Sequence, residues 1–186
     1  DITLAIRERL PVIIDFRGES EQVASVLLNG RKVPYTVKDE HIVIDTREAA
    51  DGENRVTVEF TANDQSLNRR DEFLYTLLVP DRARTLFPCF DQPDMKSLFT
   101  LSLEVPSSWQ AVTNGAVEQV DSTSVARRKR ISFRETEPLS TYLFSFVAGK
   151  LTRETYSRDG RNISIYHRET CLLYTSPSPR DRTRSR

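Results

Sequence analysis

The chain of 186 residues carries 27 Lys plus Arg against 27 Asp plus Glu, a formal net charge of zero, with 38% hydrophobic and 29% charged residues. Neutrality argues against nucleic-acid binding, which draws on a net basic field, and no stretch approaches the roughly 18 apolar residues of a membrane span. Two cysteines, Cys89 and Cys171, and two histidines, His41 and His167, are too few and too scattered for a disulfide scaffold, a Cys-rich metal site or a two-histidine zinc helix.

From the start the apolar residues recur with a period of two. Ile2, Leu4 and Ile6 alternate with Thr3, Ala5 and Arg7, and Pro11 to Phe16 reads as a second strand. Ala24 to Leu28 and Arg31 to Val37 flank Asn29-Gly30, a pair that tolerates the positive φ of a type I′ hairpin turn. His41 to Ile44 is a further short strand. After Asp51-Gly52, Val56, Val58 and Phe60 face one way and Arg55, Thr57 and Glu59 the other, as in a half-solvated antiparallel strand.

Glu72 to Leu78 is apolar enough to be covered on both faces, and Phe99, Leu101, Leu103 and Val105 alternate with Leu98, Thr100, Ser102 and Glu104. Asn114-Gly115 marks a turn, Arg127 to Phe133 a strand, and Thr141 to Gly149 a central strand. Asp159-Gly160 joins a strand near Thr152 to one ending at His167. The best helical candidate, Asp81 to Thr85, must end within about a turn because Pro88 follows. Many short strands, frequent turn signals and very little helix predict an all-β fold, an antiparallel β-sandwich or related two-sheet domain. No fixed-period repeat suggests a propeller or solenoid.

The domain is expected to span residues 1–170 and to start inside a longer protein, since it opens on Asp1 and its single methionine is Met95. After Thr170 the composition changes: residues 171–186 hold Arg180, Arg182, Arg184 and Arg186 with Pro177 and Pro179, and nothing apolar beyond Tyr174. Such a segment buries too little surface to offset its ordering entropy. It resembles translated sequencing-adapter read-through and is expected to be a non-native, unstructured tail; the alternative is a native basic tail for an acidic partner. Without it the charge balance turns slightly negative.

Residue chemistry alone offers no catalytic constellation. The run Arg127 to Arg130 alternates between two faces of a strand and lacks interleaved aromatics, which favours a solvated or edge strand over a nucleic-acid groove. Asp91 and Asp94 could serve acid–base or cation chemistry, yet their spacing around Pro93 fits a turn held by side-chain-to-backbone bonds. Cys89, between Pro88 and Phe90, reads as a small buried hydrophobe rather than a nucleophile. His167, beside Tyr166, reads as a surface or interface imidazole.

One segment carries a resemblance. Ala83-Arg84, then Phe87-Pro88-Cys89-Phe90-Asp91-Gln92-Pro93, then Lys96 and Phe99, followed by Ser140-Thr141-Tyr142-Leu143, closely resemble the aminopeptidase N family of zinc metallopeptidases. The resemblance implies a saddle-like N-terminal β-domain that packs on a thermolysin-like catalytic domain. It also implies that zinc belongs to the parent protein, held there by an H-E-x-x-H pair and a distant Glu that this chain lacks. The chain itself is then expected to hold no cofactor and to be inactive alone, while the parent removes N-terminal amino acids from peptides. The alternative is a non-enzymatic β-sandwich binding or scaffold module. The family's anchor for the substrate amine falls on Val79, whose isopropyl group accepts no hydrogen bond, leaving Asp81 as a weak substitute. The remaining motif residues, Arg84, Phe87, Pro88, Cys89, Phe90, Asp91 and Pro93, are assigned a structural role. In that role the prolines fix φ, Asp91 accepts backbone N–H groups, and the phenylalanines anchor in a core or interface.

Overall fold

The structure, a computed structural model, describes residues 1–168 apart from Arg9, Glu48, Pro80 and Ser124; the tail expectation for 171–186 lies outside the described residues. In chain order the strands are β1 (Ile2–Ile6), β2 (Val12–Asp15), β3 (Val23–Leu28), β4 (Arg31–Lys32), β5 (Tyr35–Lys38) and β6 (His41–Ile44). Next come β7 (Gly52–Phe60), β8 (Leu67–Arg69), β9 (Phe73–Thr76), β10 (Lys96–Ser97), β11 (Ser102–Pro106) and β12 (Gln110–Thr113). The last are β13 (Val117–Ser122), β14 (Arg128–Phe133), β15 (Leu139–Ser140), β16 (Phe146–Gly149), β17 (Thr152–Arg158) and β18 (Arg161–His167). The described helical segments are single 3-10 turns at Ser20–Gln22, Ala83–Thr85 and Thr141–Leu143. None is long and apolar enough to cross a membrane.

Two antiparallel sandwiches follow one another. In the first, the sheet β1-β7-β3-β4 faces β2-β6-β5. Their shared core takes Ile6, Val26, Leu28 and Val56 from one sheet and Ile14, Ile42 and Ile44 from the other, with Phe16 between them. Ile14, Phe16, Ile42, Ile44 and Val56 are fully buried, and each contributes roughly 1.5–3 kcal/mol by leaving water. The Asn29-Gly30 hairpin has the positive φ values, 51° and 80°, of a type I′ turn. Buried Asn54 locks that turn: its Oδ1 accepts from Asn29 Nδ2 at 2.8 Å, and its Nδ2 donates to the Ala50 and Gly52 carbonyls. A buried side-chain amide is stable only when so satisfied.

The second sandwich pairs β12-β16-β9-β8 with β11-β14-β13. Ala111 and Ala148 from the first of these meet Val105, Ile131 and Phe133 from the second. A neighbouring cluster of Leu67, Leu78, Ala83, Leu86, Cys89 and Phe144 sits toward the first sandwich. Leu139 of the small pair β10-β15 packs on that cluster, while β17-β18 forms a two-stranded ribbon that pairs with no other described strand.

The structure differs from the sequence expectations at several points. Arg31 to Val37 is broken at Val33-Pro34, because Pro34 lacks a donor, and its halves join different sheets as β4 and β5. Glu72 to Leu78 is covered on one face only, with Tyr75 and Leu77 exposed. Of the basic run, Arg128 to Arg130 lie in β14 and Arg127 precedes it; the strand is solvated on its charged side as expected but is flanked on both sides rather than at an edge, and Arg128 and Arg130 both reach Glu104 of β11. Thr141 to Leu143 is a 3-10 turn, and the central strand starts only at Phe146.

Candidate functional site

The motif Phe87 to Pro93 is the clasp between the two sandwiches. Asp15, at the end of β2, and Cys89 exchange backbone hydrogen bonds: the Asp15 N–H reaches the Cys89 carbonyl at 2.9 Å, and the Cys89 N–H reaches the Asp15 carbonyl at 3.1 Å. The Arg17 N–H donates to the Arg84 carbonyl at 2.8 Å just beyond. From the other side, Thr141 Oγ1 donates to the Phe90 carbonyl at 3.0 Å and Ser140 Oγ to the Pro93 carbonyl at 2.6 Å. Side chains divide the same way. Phe90 packs on the first core, whereas Phe87 and Cys89 join the cluster beside the second, where Phe87 meets Phe144 edge-on at 5.9 Å.

A buried carboxylate that the sequence did not single out organises this junction. Asp15 is only 5% exposed, and its Oδ2 accepts from the Asp91 N–H and from Gln92 Nε2, both at 2.8 Å. Its Oδ1 faces His41 Nε2 at 3.3 Å. Asp91 in turn accepts from the Arg84 N–H at 3.1 Å, so the segment Ala83–Thr85 and the Phe87–Pro93 loop are tied head to tail. Burial raises the Asp91 carboxyl above its ordinary value, and the bond from the Arg84 N–H opposes this. Asp94 is exposed and joins no such network with Asp91, so these two carboxylates form no acid–base pair. Burial, reinforced by the charges of Asp91 and Asp15, pushes the Cys89 thiol far up; it is a poor nucleophile.

Arg84 carries the clasp to the surface. Its guanidinium meets Asp81 at 2.9 Å and Glu40 at 3.5 Å, and Arg17 meets Glu40 at 2.9 Å. Both acids hold left-handed backbone conformations, with φ of 59° at Asp81 and 63° at Glu40. Non-glycine residues enter that region at a cost, and here the ion pairs accompany it. A polar cleft of about 470 Å³ opens alongside, lined by Arg17, Gln65, Ser66, Asp81, Arg82, Arg84 and Thr85. Val79 is 51% exposed, in the turn that follows exposed Leu77 just past the end of β9. Asp81, the substitute acceptor two residues on, is occupied by Arg84.

Like Asp15, Arg17 and Glu40 carry no motif of their own in the sequence, and Gln92, inside the family motif, and His41, opening a short strand, are given no role by it. For Asp15 a signal existed: a lone acid between Ile14 and Phe16 in an apolar strand must find donors if it is buried.

The family model for the peptidase M1 N-terminal domain matches residues 14–143. Among curated relatives, "Aminopeptidase M1-A" of Oryza sativa subsp. japonica is 30% identical over 153 residues, covering 75% of this chain and 17% of that protein. "Probable M1 family aminopeptidase 2" of Encephalitozoon cuniculi is 38% identical over 96 residues, covering 51% of this chain and 11% of that protein. The chain thus spans between a tenth and a fifth of the length of these relatives. An M1 zinc metallopeptidase from Deinococcus radiodurans of known crystal structure shares the fold, with a TM-score of 0.69 at 22% identity over 88% of this chain and 40% of its own.

Proposed function

The chain belongs to the peptidase M1 N-terminal domain family, and from that membership we propose that it is the non-catalytic N-terminal part of a zinc aminopeptidase. The parent removes N-terminal amino acids from peptides, and this part packs on and walls its thermolysin-like catalytic domain. The observation that supports this reading most is the clasp: the family motif Phe87 to Pro93 is the element that fixes one sandwich on the other, as a rigid wall requires.

The zinc of such a parent finds no fitting donor set here. Among the described residues no group of three or more His, Cys, Asp or Glu is placed to hold a metal ion. His41 faces Asp15 in the first sandwich, and His167 faces Glu154 on the ribbon. Neither combines with a third ligand, so no step of hydrolysis is derived from these residues. Their contribution is rigidity and shape. The departure at Val79 leaves anchoring of the substrate amine to the rest of the parent.

The test is the longer transcript and its product. An in-frame H-E-x-x-H with a further Glu downstream, and chelator-sensitive hydrolysis of amino-acid anilides by the longer chain only, are the expected results. A continuation without the histidine pair would overturn the proposal in favour of a binding or scaffold module. So would chelator-sensitive turnover by the pure 186-residue chain.

A further inference from the structure

The polar cleft beside the clasp has one charge left over. Three guanidinium groups line it, those of Arg17, Arg82 and Arg84, together with the carboxylate of Asp81. Glu40, just outside, meets Arg17 at 2.9 Å and Arg84 at 3.5 Å, while Asp81 meets Arg84 at 2.9 Å. Two acids thus face three bases, and Arg82 forms no ion pair among the described residues. The next acid, Asp91, is buried, does not line the cleft and is spent on the Arg84 N–H. The lining hydroxyls are spent as well: those of Ser66 and Thr85 bond each other at 2.7 Å, and Thr85 donates on to the Arg82 carbonyl at 2.8 Å. The Arg84 guanidinium is also engaged lopsidedly. Both of its carboxylates approach a single nitrogen, Nη2, and the neighbouring Nε is buried with no hydrogen-bond partner among the described residues. A buried N–H without an acceptor is destabilising.

We propose that this cleft binds the carboxylate group of a small organic acid, which takes the Nε–Nη2 edge of Arg84 and is neutralised by Arg82 while Asp81 turns out to water. The site goes beyond the function proposed above and stands without it. Three features select this ligand. The surplus is one positive charge, which a monoanion balances. The Nε and Nη2 donors lie side by side on one edge of a planar group, spaced for the two oxygens of a single carboxylate. Asp81, held at a φ of 59° with its side chain 58% exposed, supplies only one bond to that edge, so a free carboxylate that supplies two displaces it. The cleft, at about 470 Å³, is also of small-molecule size, with room for the body of an acid larger than a bare ion.

The test is an NMR titration of the 186-residue chain at pH 7, in which sodium acetate replaces sodium chloride at constant ionic strength and the Arg84 Nε–Hε signal is followed. That signal is expected to move and to saturate at millimolar acetate. Arg82→Gln, at an exposed position, is expected to weaken binding about tenfold or more, the worth of one hydrogen bond to a charged group. Asp81→Asn removes the competing carboxylate while keeping a residue that tolerates the positive φ, and it is expected to tighten binding severalfold. Arg158→Gln, at the far tip of the ribbon, leaves binding unchanged. An Nε–Hε signal that stays still, or drifts without saturating, overturns the proposal. So does an Arg82→Gln protein that binds acetate as the parent sequence does, or an Asp81→Asn protein that binds it no more tightly. Inorganic phosphate binding more tightly than acetate at the same ionic strength overturns the carboxylate assignment in favour of a phosphate group.

Discussion

Removing the Asp15 carboxylate tests whether the clasp depends on it. In Asp15→Ala the Asp91 N–H, buried and bonded at 2.8 Å, loses its acceptor, and Gln92 Nε2 loses one of equal length. A buried donor left unpaired costs about 1–3 kcal/mol, while the partly buried Gln92 amide can turn toward water at a cost of about 1 kcal/mol. The expected loss is therefore about 2–4 kcal/mol, a fall of roughly 5–15 °C in melting temperature for a domain of this size. Asp15→Asn keeps one acceptor oxygen and is expected to lose half of that or less. Asp64→Ala is the control, since Asp64 makes only an exposed pair with Arg69 at 3.3 Å, worth about 0–1 kcal/mol. Urea unfolding of the three variants gives the comparison, and hydrogen exchange of the Asp15 and Cys89 amides reports whether the bridge between them loosens. An Asp15→Ala protein as stable as Asp64→Ala, with that bridge still protected, would refute the view that this carboxylate holds the sandwiches together.

Phe133, 1% exposed in the second core, is expected to cost about 3–5 kcal/mol when replaced by Ala, measured by urea unfolding. Gly115→Ala places a methyl group 2.1 Å from the Arg134 carbonyl oxygen, a backbone atom that cannot yield, and a loss of at least about 1–3 kcal/mol follows by the same measurement. The Cys89 thiol, raised by burial and flanking acids, is expected to resist Ellman's reagent at pH 8 in the native protein and to react on unfolding. His167 is held from both sides by acceptors, the Arg168 carbonyl at Nδ1 and Glu154 Oε1 at Nε2, and only the imidazolium donates to both. Its folded value is therefore raised above the ordinary 6.5, chiefly by the carbonyl and then by Glu154. A raised cationic group stabilises the ribbon below pH 6.5, and that contribution is lost as pH climbs through the folded value. An NMR titration should place His167 above 6.5 and Glu154→Gln should bring it down; a titration at or below 6.5 in the parent sequence would contradict this geometry.

What the sequence disclosed and what it hid divide along a physical line. Hairpins built on Asn29-Gly30 and Asp159-Gly160 were legible because positive φ is a local property that these pairs tolerate, and the structure gives them 51° and 80°, 52° and 73°. The turn at Asp39-Glu40 has the same geometry, at 52° and 63°, without a glycine. Nothing within the turn announces it; what favours it lies elsewhere in the chain, in Arg17 and Arg84, which both reach Glu40. The two-residue strands β10 and β15 exist only because Lys96 and Ser97 meet Ser140 and Leu139 across the fold. Thr141 to Leu143 leaves its strand pattern because Thr141 and the preceding Ser140 are pinned to the Phe90 and Pro93 carbonyls.

In the sequence the motif at Phe87 to Pro93 reads as a turn whose phenylalanines anchor in a core or interface, but nothing local points to its decisive partner, Asp15, far away in sequence. Strand pattern therefore fixes the sandwiches, whereas a few distant polar pairs fix how one sits on the other. Loss of those pairs should leave each core intact and loosen only their union. A substitution such as Phe133→Ala should instead weaken protection throughout the second sandwich, and comparing hydrogen exchange in Asp15→Ala with that in Phe133→Ala distinguishes the two kinds of failure.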